Sequence, residues 1–166
     1  KIDRDGPSTP SFAANLVKKI IEAVLYLHNQ KSPIIHADIT PVNIMLDMSS
    51  GSLEPILFDF GLSKIDQYNT SYNKTVPSVY YCSNETLIGK STIKSDIFSI
   101  GALLYTMIEG FFPWHDKFTI DDYNQEGFLD KIIESRNTKL VFSSLNTKIQ
   151  YDLSSIICIN FNIFFC

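Results

Sequence analysis

Arginine is nearly absent from this chain of 166 residues, with Arg4 and Arg136 its only two. The lysines are scattered, so the polybasic footprint of a nucleic-acid binder is missing and no nucleic-acid partner is expected. No apolar run is long enough to span a bilayer, and no basic-then-apolar leader opens the chain, so no membrane partner is expected either. Cysteine is sparse. Cys82, Cys158 and Cys166 are odd in number and lack metal-ligand spacing, which fits a reducing compartment and a cytoplasmic, intracellular location better than a secreted disulfide framework. Charge is modest: 19% of residues, with 14 basic against 18 acidic side chains and a net charge of -4. What is plentiful is apolar material, 45% hydrophobic and 13% aromatic, with a mean hydropathy of +0.03. That suffices for one domain with its own core and excludes intrinsic disorder. Asn69, Asn73 and Asn84 each begin an N-x-[ST] triplet, read here as chance in an Asn-rich chain rather than as glycosylation.

Residues 1–10 hold Gly6, Pro7 and Pro10 among polar neighbours and read as a linker. Phe12, Leu16, Ile20, Val24 and Leu27, widened by Ile21 and Leu25, predict an amphipathic helix over 11–29. Two short strands, Ile44-Met45-Leu46 and Ile56-Leu57-Phe58, flank a Gly- and Pro-bearing connection and predict a hairpin. From Asp59 to about Glu85 the chain is polar and irregular, too long for an ordinary loop, and such stretches are usually functional or disordered. Residues 95–109 are apolar almost all round and predict a buried helix ended by Gly110. Weaker helical patterns lie at 126–136 and 147–158, and an apolar tail closes the chain over 158–166.

Two pieces place an acid at a strand edge. Asp38 stands in H-x-D-x-x-x-x-N with Asn43, and Asp59 opens Asp59-Phe60-Gly61 after the second hairpin strand. An acid and an amide five residues apart on one loop can point at one spot, and a second acid from the hairpin completes a site for a hard cation. Mg²⁺ takes oxygen ligands, typically one or two carboxylates plus substrate phosphates. Asn43 and Asp59 are the candidate metal ligands. Asp38 is then free to accept a proton from an attacking hydroxyl.

HADITPVN resembles the catalytic loop of the eukaryotic protein kinase family, and DFG at 59–61 matches that family's metal-binding motif. SDIFSIG at 95–101 is similar to its D-x-W-S-x-G, with Phe98 for Trp. GFFPW at 110–114 resembles the loop after that helix, and SNE at 83–85 occupies the place of A-P-E. Order and spacing agree across all five. The resemblance implies a partial kinase domain over 11–157, the larger C-terminal lobe of the α+β kinase fold: mainly α, with short hairpin strands at the catalytic cleft and the N-terminal lobe absent. It implies ATP and Mg²⁺ as cofactors, a protein substrate with serine/threonine favoured because Pro41 follows position 40, and Asp38 as the base. Phe60 would pack under the site, and Gly61 would permit the turn there. His36 is expected to hold the loop rather than do chemistry. Asp96 is either a plain helix-start acid, favoured by the dipole, or an acceptor for backbone N–H groups of the catalytic loop. Ser78 falls where the family places its substrate-facing loop.

Several departures stand beside the match. Ala37 replaces the Arg that pairs with a phosphorylated activation loop, so a phosphate on Thr70, Ser71, Tyr72 or Thr75 would find no basic socket near the loop. Thr40, the second candidate catalytic residue, replaces the lysine of serine/threonine kinases; its hydroxyl can bond Asp38 but cannot neutralise phosphate. Asn84 replaces the proline of A-P-E, which is expected to loosen a turn. Glu85 has no arginine after Arg136 to pair with, and the abrupt apolar end suggests a cut gene model. A kinase-like module that binds partners through the 110–136 surface, or a small-molecule phosphotransferase sharing the H-x-D-x-x-x-x-N loop, are the alternative readings.

Overall fold

The computed structural model describes residues 7–65, 79–117, 121–122, 125–138 and 140–143. Helix α1, Pro10–His28, starts where Thr9 Oγ1 accepts from the Phe12 amide, with proline at its first position supplying a preset φ. Ala13, Leu16, Val17, Ile20 and Val24 form its buried stripe. The stripe is turned slightly from the predicted face, taking in Ala13 and Val17. Leu25, expected to widen that face, is instead 45% exposed.

Four short strands follow: β1 Ile34–Ile35, β2 Ile44–Asp47, β3 Glu54–Leu57 and β4 Lys64–Ile65. The predicted hairpin is present as β2–β3, antiparallel, with Ile44 opposite Leu57 and Asp47 opposite Glu54. Phe58 lies just beyond its end. Lys19 ties this hairpin to α1, its Nζ donating to Leu53 O at 2.9 Å and Glu54 Oε1 at 2.6 Å. The pairing of β1 with β4 was not anticipated. Strands of two residues leave no periodicity to read.

Helix α2, Asn84–Leu87, is one turn capped by Ser83. Helix α3, Ile93–Glu109, is the centre of the core: every residue from Ser99 to Glu109 is buried. It begins two residues before the predicted start, at a capping box in which Thr92 and Ser95 satisfy each other's backbone. It ends at Gly110, whose φ of 85° is the left-handed cap that glycine takes at little cost. A Cβ there would also stand 3.1 Å from Pro7 Cγ, because residues 7–8 strap across the helix end. Helix α4, Phe128–Ser135, presents Phe128 and Ile132 to the same core. The pattern at 147–158, the tail 158–166, Ser78 and the residues between Asp66 and Ser78 lie outside the described residues. Among the described residues no helix is long and apolar enough to cross a membrane.

The Thr92 cap is testable. Thr92→Ala removes the acceptor for the first turn of α3 and should lower unfolding stability by about 1 kcal/mol in a urea titration. An unchanged midpoint would mean that packing alone fixes the start of α3.

Candidate active site

The loop between β1 and β2 is held from below by one carboxylate. Asp96, in the first turn of α3, is fully buried. Its Oδ2 accepts from the His36 amide at 2.9 Å and its Oδ1 from the Ala37 amide at 2.8 Å. A third contact comes from α1, where His28 Nε2 lies 2.8 Å from Asp96 Oδ2. Asp96 is therefore an acceptor for the loop and not merely a helix-start acid. The loop it holds is strained, for Ala37 has a φ of 67°. A left-handed alanine costs roughly 1–2 kcal/mol, which charge-assisted bonds to a buried carboxylate can offset.

His36 locks the next layer. It is completely buried, its Nδ1 accepts from the Asp38 amide at 3.3 Å, and its Nε2 faces Phe58 O at 3.2 Å. Those partners assign the proton to Nε2. The imidazole thus spans from the loop to the residue before Asp59, the structural role expected of it. Burial pushes its pKa below 6.5, against the opposing charge of Asp96.

Asp38 and Asn43 come together as their spacing predicts. Asn43 Nδ2 donates to Asp38 Oδ2 at 2.7 Å and to Asp38 O at 2.9 Å. The other carboxylate oxygen, Asp38 Oδ1, is buried and has no hydrogen-bond partner. A 3₁₀ turn, Pro41–Asn43, brings Asn43 back over the loop, and its carbonyl accepts from the Phe58 amide at 3.1 Å. That bond, with the His36–Phe58 contact, brings Asp59 beside the loop. Asp59 is exposed, and its Oδ1 accepts from the Gly61 amide at 3.0 Å.

One expectation needs correction, the Asp38–Thr40 bond, and the roles of Gly61 and Phe60 gain their geometry. The left-handed residue of the 59–61 turn is Asp59, with a φ of 60°, not Gly61. Gly61 is required for space instead, since a Cβ there would stand 3.0 Å from Asp59 Oδ1. Phe60 is 47% exposed and packs on His36, the ring centres 4.8 Å apart. Thr40 Oγ1 is buried with no hydrogen-bond partner, so the Asp38–Thr40 bond is not formed.

A family model for the protein kinase domain matches residues 1–159. The chain belongs to the protein kinase family. It is 41% identical over 108 residues to a probable serine/threonine-protein kinase, samkB, of Dictyostelium discoideum, covering 62% of this chain and 18% of that protein. It is 37% identical over 116 residues to myosin light chain kinase A of the same organism, covering 69% and 39%. It is 30% identical over 165 residues to calcium-dependent protein kinase 5 of Plasmodium berghei, covering 98% of this chain and 27% of that protein. The kinase chain thus spans well under half the length of these relatives.

Sequence reasoning missed two residues of the frame around this candidate site. His28 is one turn beyond Val24 on the buried stripe of α1, a position that could have marked it as facing α3. Arg136 is the second. Asn84 is not loosened, because its Oδ1 accepts from Arg136 Nη1 at 2.7 Å. Glu85 accepts from Ser95 Oγ at 3.0 Å, so it joins the capping box of α3.

Two outcomes follow for the folded chain. Asp96→Ala orphans two buried amides and should destabilise it by at least about 3 kcal/mol, measured by denaturant unfolding. A loss under about 1 kcal/mol would show the loop is held by other means. The depressed pKa of His36 stabilises the fold fully above 6.5, its unfolded value, and that contribution is lost as pH falls through the lower folded value. His36→Gln should flatten this acid-side decline in a pH series of unfolding midpoints; an unaltered slope would assign it to other groups.

Proposed function

We propose that the chain is the C-terminal lobe of a protein kinase, with the partial domain running over 11–157, and that its parent transfers phosphate from ATP to protein serine or threonine hydroxyls. The observation that carries this reading is Asp38. One carboxylate oxygen is fixed by Asn43, and the other, Oδ1, is buried and unpartnered. An acid held this way can accept the proton of an attacking hydroxyl once bound substrate takes up the place beside Oδ1.

The donor set also fits Mg²⁺. Asn43 uses its nitrogen on Asp38, and Asp59 uses one oxygen on Gly61, so Asn43 Oδ1 and Asp59 Oδ2 are the oxygens that would face a metal. Such an ion would neutralise phosphate charge. The residues of the chain do the rest: Asn43 orients Asp38, His36 fixes the spacing between the two acids' backbones, and Phe60 caps His36. A covering small lobe is supported by the exposed Val42 and Phe60, the chain neighbours of Asn43 and Asp59, at 68% and 47%.

A non-catalytic, partner-binding parent is the second reading, favoured by Thr40, which brings no charge to the place of the family's lysine. A kinetic comparison separates them. In the full-length protein with Mg-ATP and casein, transfer should be lost in Asp38→Asn, and Thr40→Lys should raise kcat about tenfold or more by restoring phosphate stabilisation. Wild-type transfer no greater than that of Asp38→Asn would overturn the catalytic reading. The 1–166 chain alone should show no transfer, since half of the ATP cradle is missing and with it much of the roughly 7–11 kcal/mol available from fixed geometry.

A further inference from the structure

The connection between β2 and β3 carries three serines, Ser49, Ser50 and Ser52, all exposed around a left-handed Gly51. Nothing lies within 4 Å of where a Gly51 Cβ would stand, so this tip is clear of the lobe. The candidate active site uses none of these hydroxyls. Their partners tell them apart. Ser49 Oγ donates to Asp47 Oδ2 at 2.8 Å, and Ser50 Oγ lies 3.2 Å from Ser52 Oγ. Ser52 Oγ donates to Glu54 Oε1 at 2.7 Å, and that same oxygen accepts from Lys19 Nζ of α1 at 2.6 Å. Both bonds, Lys19's first, hold the Glu54 carboxyl below its ordinary value. A hydroxyl and an ammonium that share one oxygen are near neighbours, so Lys19 is within reach of a charged group placed on Ser52.

We propose that Ser52 is a phosphorylation site and that Lys19 is the residue that receives its phosphate. ATP and a protein serine kinase supply the group. Ser52 Oγ bonds to the γ-phosphorus, and the bond from that phosphorus to the β–γ bridging oxygen breaks. ADP leaves, and the hydroxyl proton passes to the base of the modifying enzyme. Where the hydroxyl was a donor, the phosphate brings a charge of about −1.5 to −2 and three acceptor oxygens. It repels Glu54, and also Asp47, which stands opposite Glu54 across the ladder. Lys19 gains a stronger acceptor than a single carboxylate oxygen, through a hydrogen bond charged at both ends. Its second bond, to Leu53 O at 2.9 Å, ends between the old partner and the new one and can persist. The tie from α1 to the hairpin thus moves from Glu54 to residue 52 and tightens. A phosphate on Ser49 would meet the Asp47 carboxylate instead, and that difference singles out Ser52.

The test has two arms on the full-length protein, and neither depends on its own catalytic activity. Phosphopeptide mapping of protein isolated from the cells that make it should find phosphate on Ser52. Its absence from that residue would overturn the modification. In the second arm phosphoserine is encoded at position 52, and amide hydrogen exchange of 44–57 is compared with that of the unmodified protein. Exchange should slow about threefold, the scale of one part-exposed ion pair. In Lys19→Met the same phosphate should bring no slowing, and phosphoserine at position 49 of the wild-type chain should bring none either. Slowing that survives Lys19→Met, or no slowing at all, would overturn Lys19 as the receiving residue. Equal slowing from position 49 would overturn the choice of Ser52.

Discussion

The buried carboxylate of Asp96 is the interaction on which the site depends. A charge with no solvent exposure is tolerable only when its oxygens are taken up by donors, and three are supplied: two loop amides and the His28 ring. Each donor comes with a structural consequence. The two amides fix the backbone at His36 and Ala37, and therefore the direction in which Asp38 leaves the loop. The ring of His28 joins α1 to α3 at the same point. Removing this one side chain would thus release the loop and the helix pair together.

Helix α3 then acts as a common frame for two loops that are distant in sequence. Its first turn holds the loop between β1 and β2 through Asp96 and holds Glu85 through Ser95. One turn on, Phe98 supports Arg136, which holds Asn84 and Val79. The near-complete burial of the helix between Ser99 and Glu109 makes this frame stiff, because the interior around it is packed and cannot shift one contact alone. Geometry at Asp38 and geometry at 79–84 are in this way set by the same rigid element.

The legible parts of this arrangement were those with a period or a spacing. The stripe of α1, the apolar run of α3 and the hairpin all have repeats that report burial, and Asp38 and Asn43 are near enough in sequence for a loop to join them. What escaped was decided by tertiary partners. The two-residue strands β1 and β4 are too short to show alternation. Asn84 looked like a damaged motif because its partner, Arg136, is 52 residues away. Gly61 was expected to permit its turn, but that it does so by making room for the carboxylate of a left-handed Asp59 depends on a backbone conformation no spacing reports. Thr40 could have reached Asp38 by distance along the chain, but its hydroxyl is buried without a hydrogen-bond partner.

Ala37 and Thr40 separate the shape of this site from its charge. In the family pattern an arginine and a lysine stand at these places, and both are cations facing phosphate. Their replacement would be expected to disturb the loop if those side chains held it. They do not hold it here: the left-handed turn at Ala37 is fixed through its backbone amide, which any residue but proline supplies, and Asp38 is oriented by Asn43. Asp38 and Asn43 therefore stay hydrogen-bonded to one another with both positive charges gone. Any deficit relative to other kinases should accordingly lie in the stabilisation of phosphate charge, an electrostatic term, and not in the assembly of the loop.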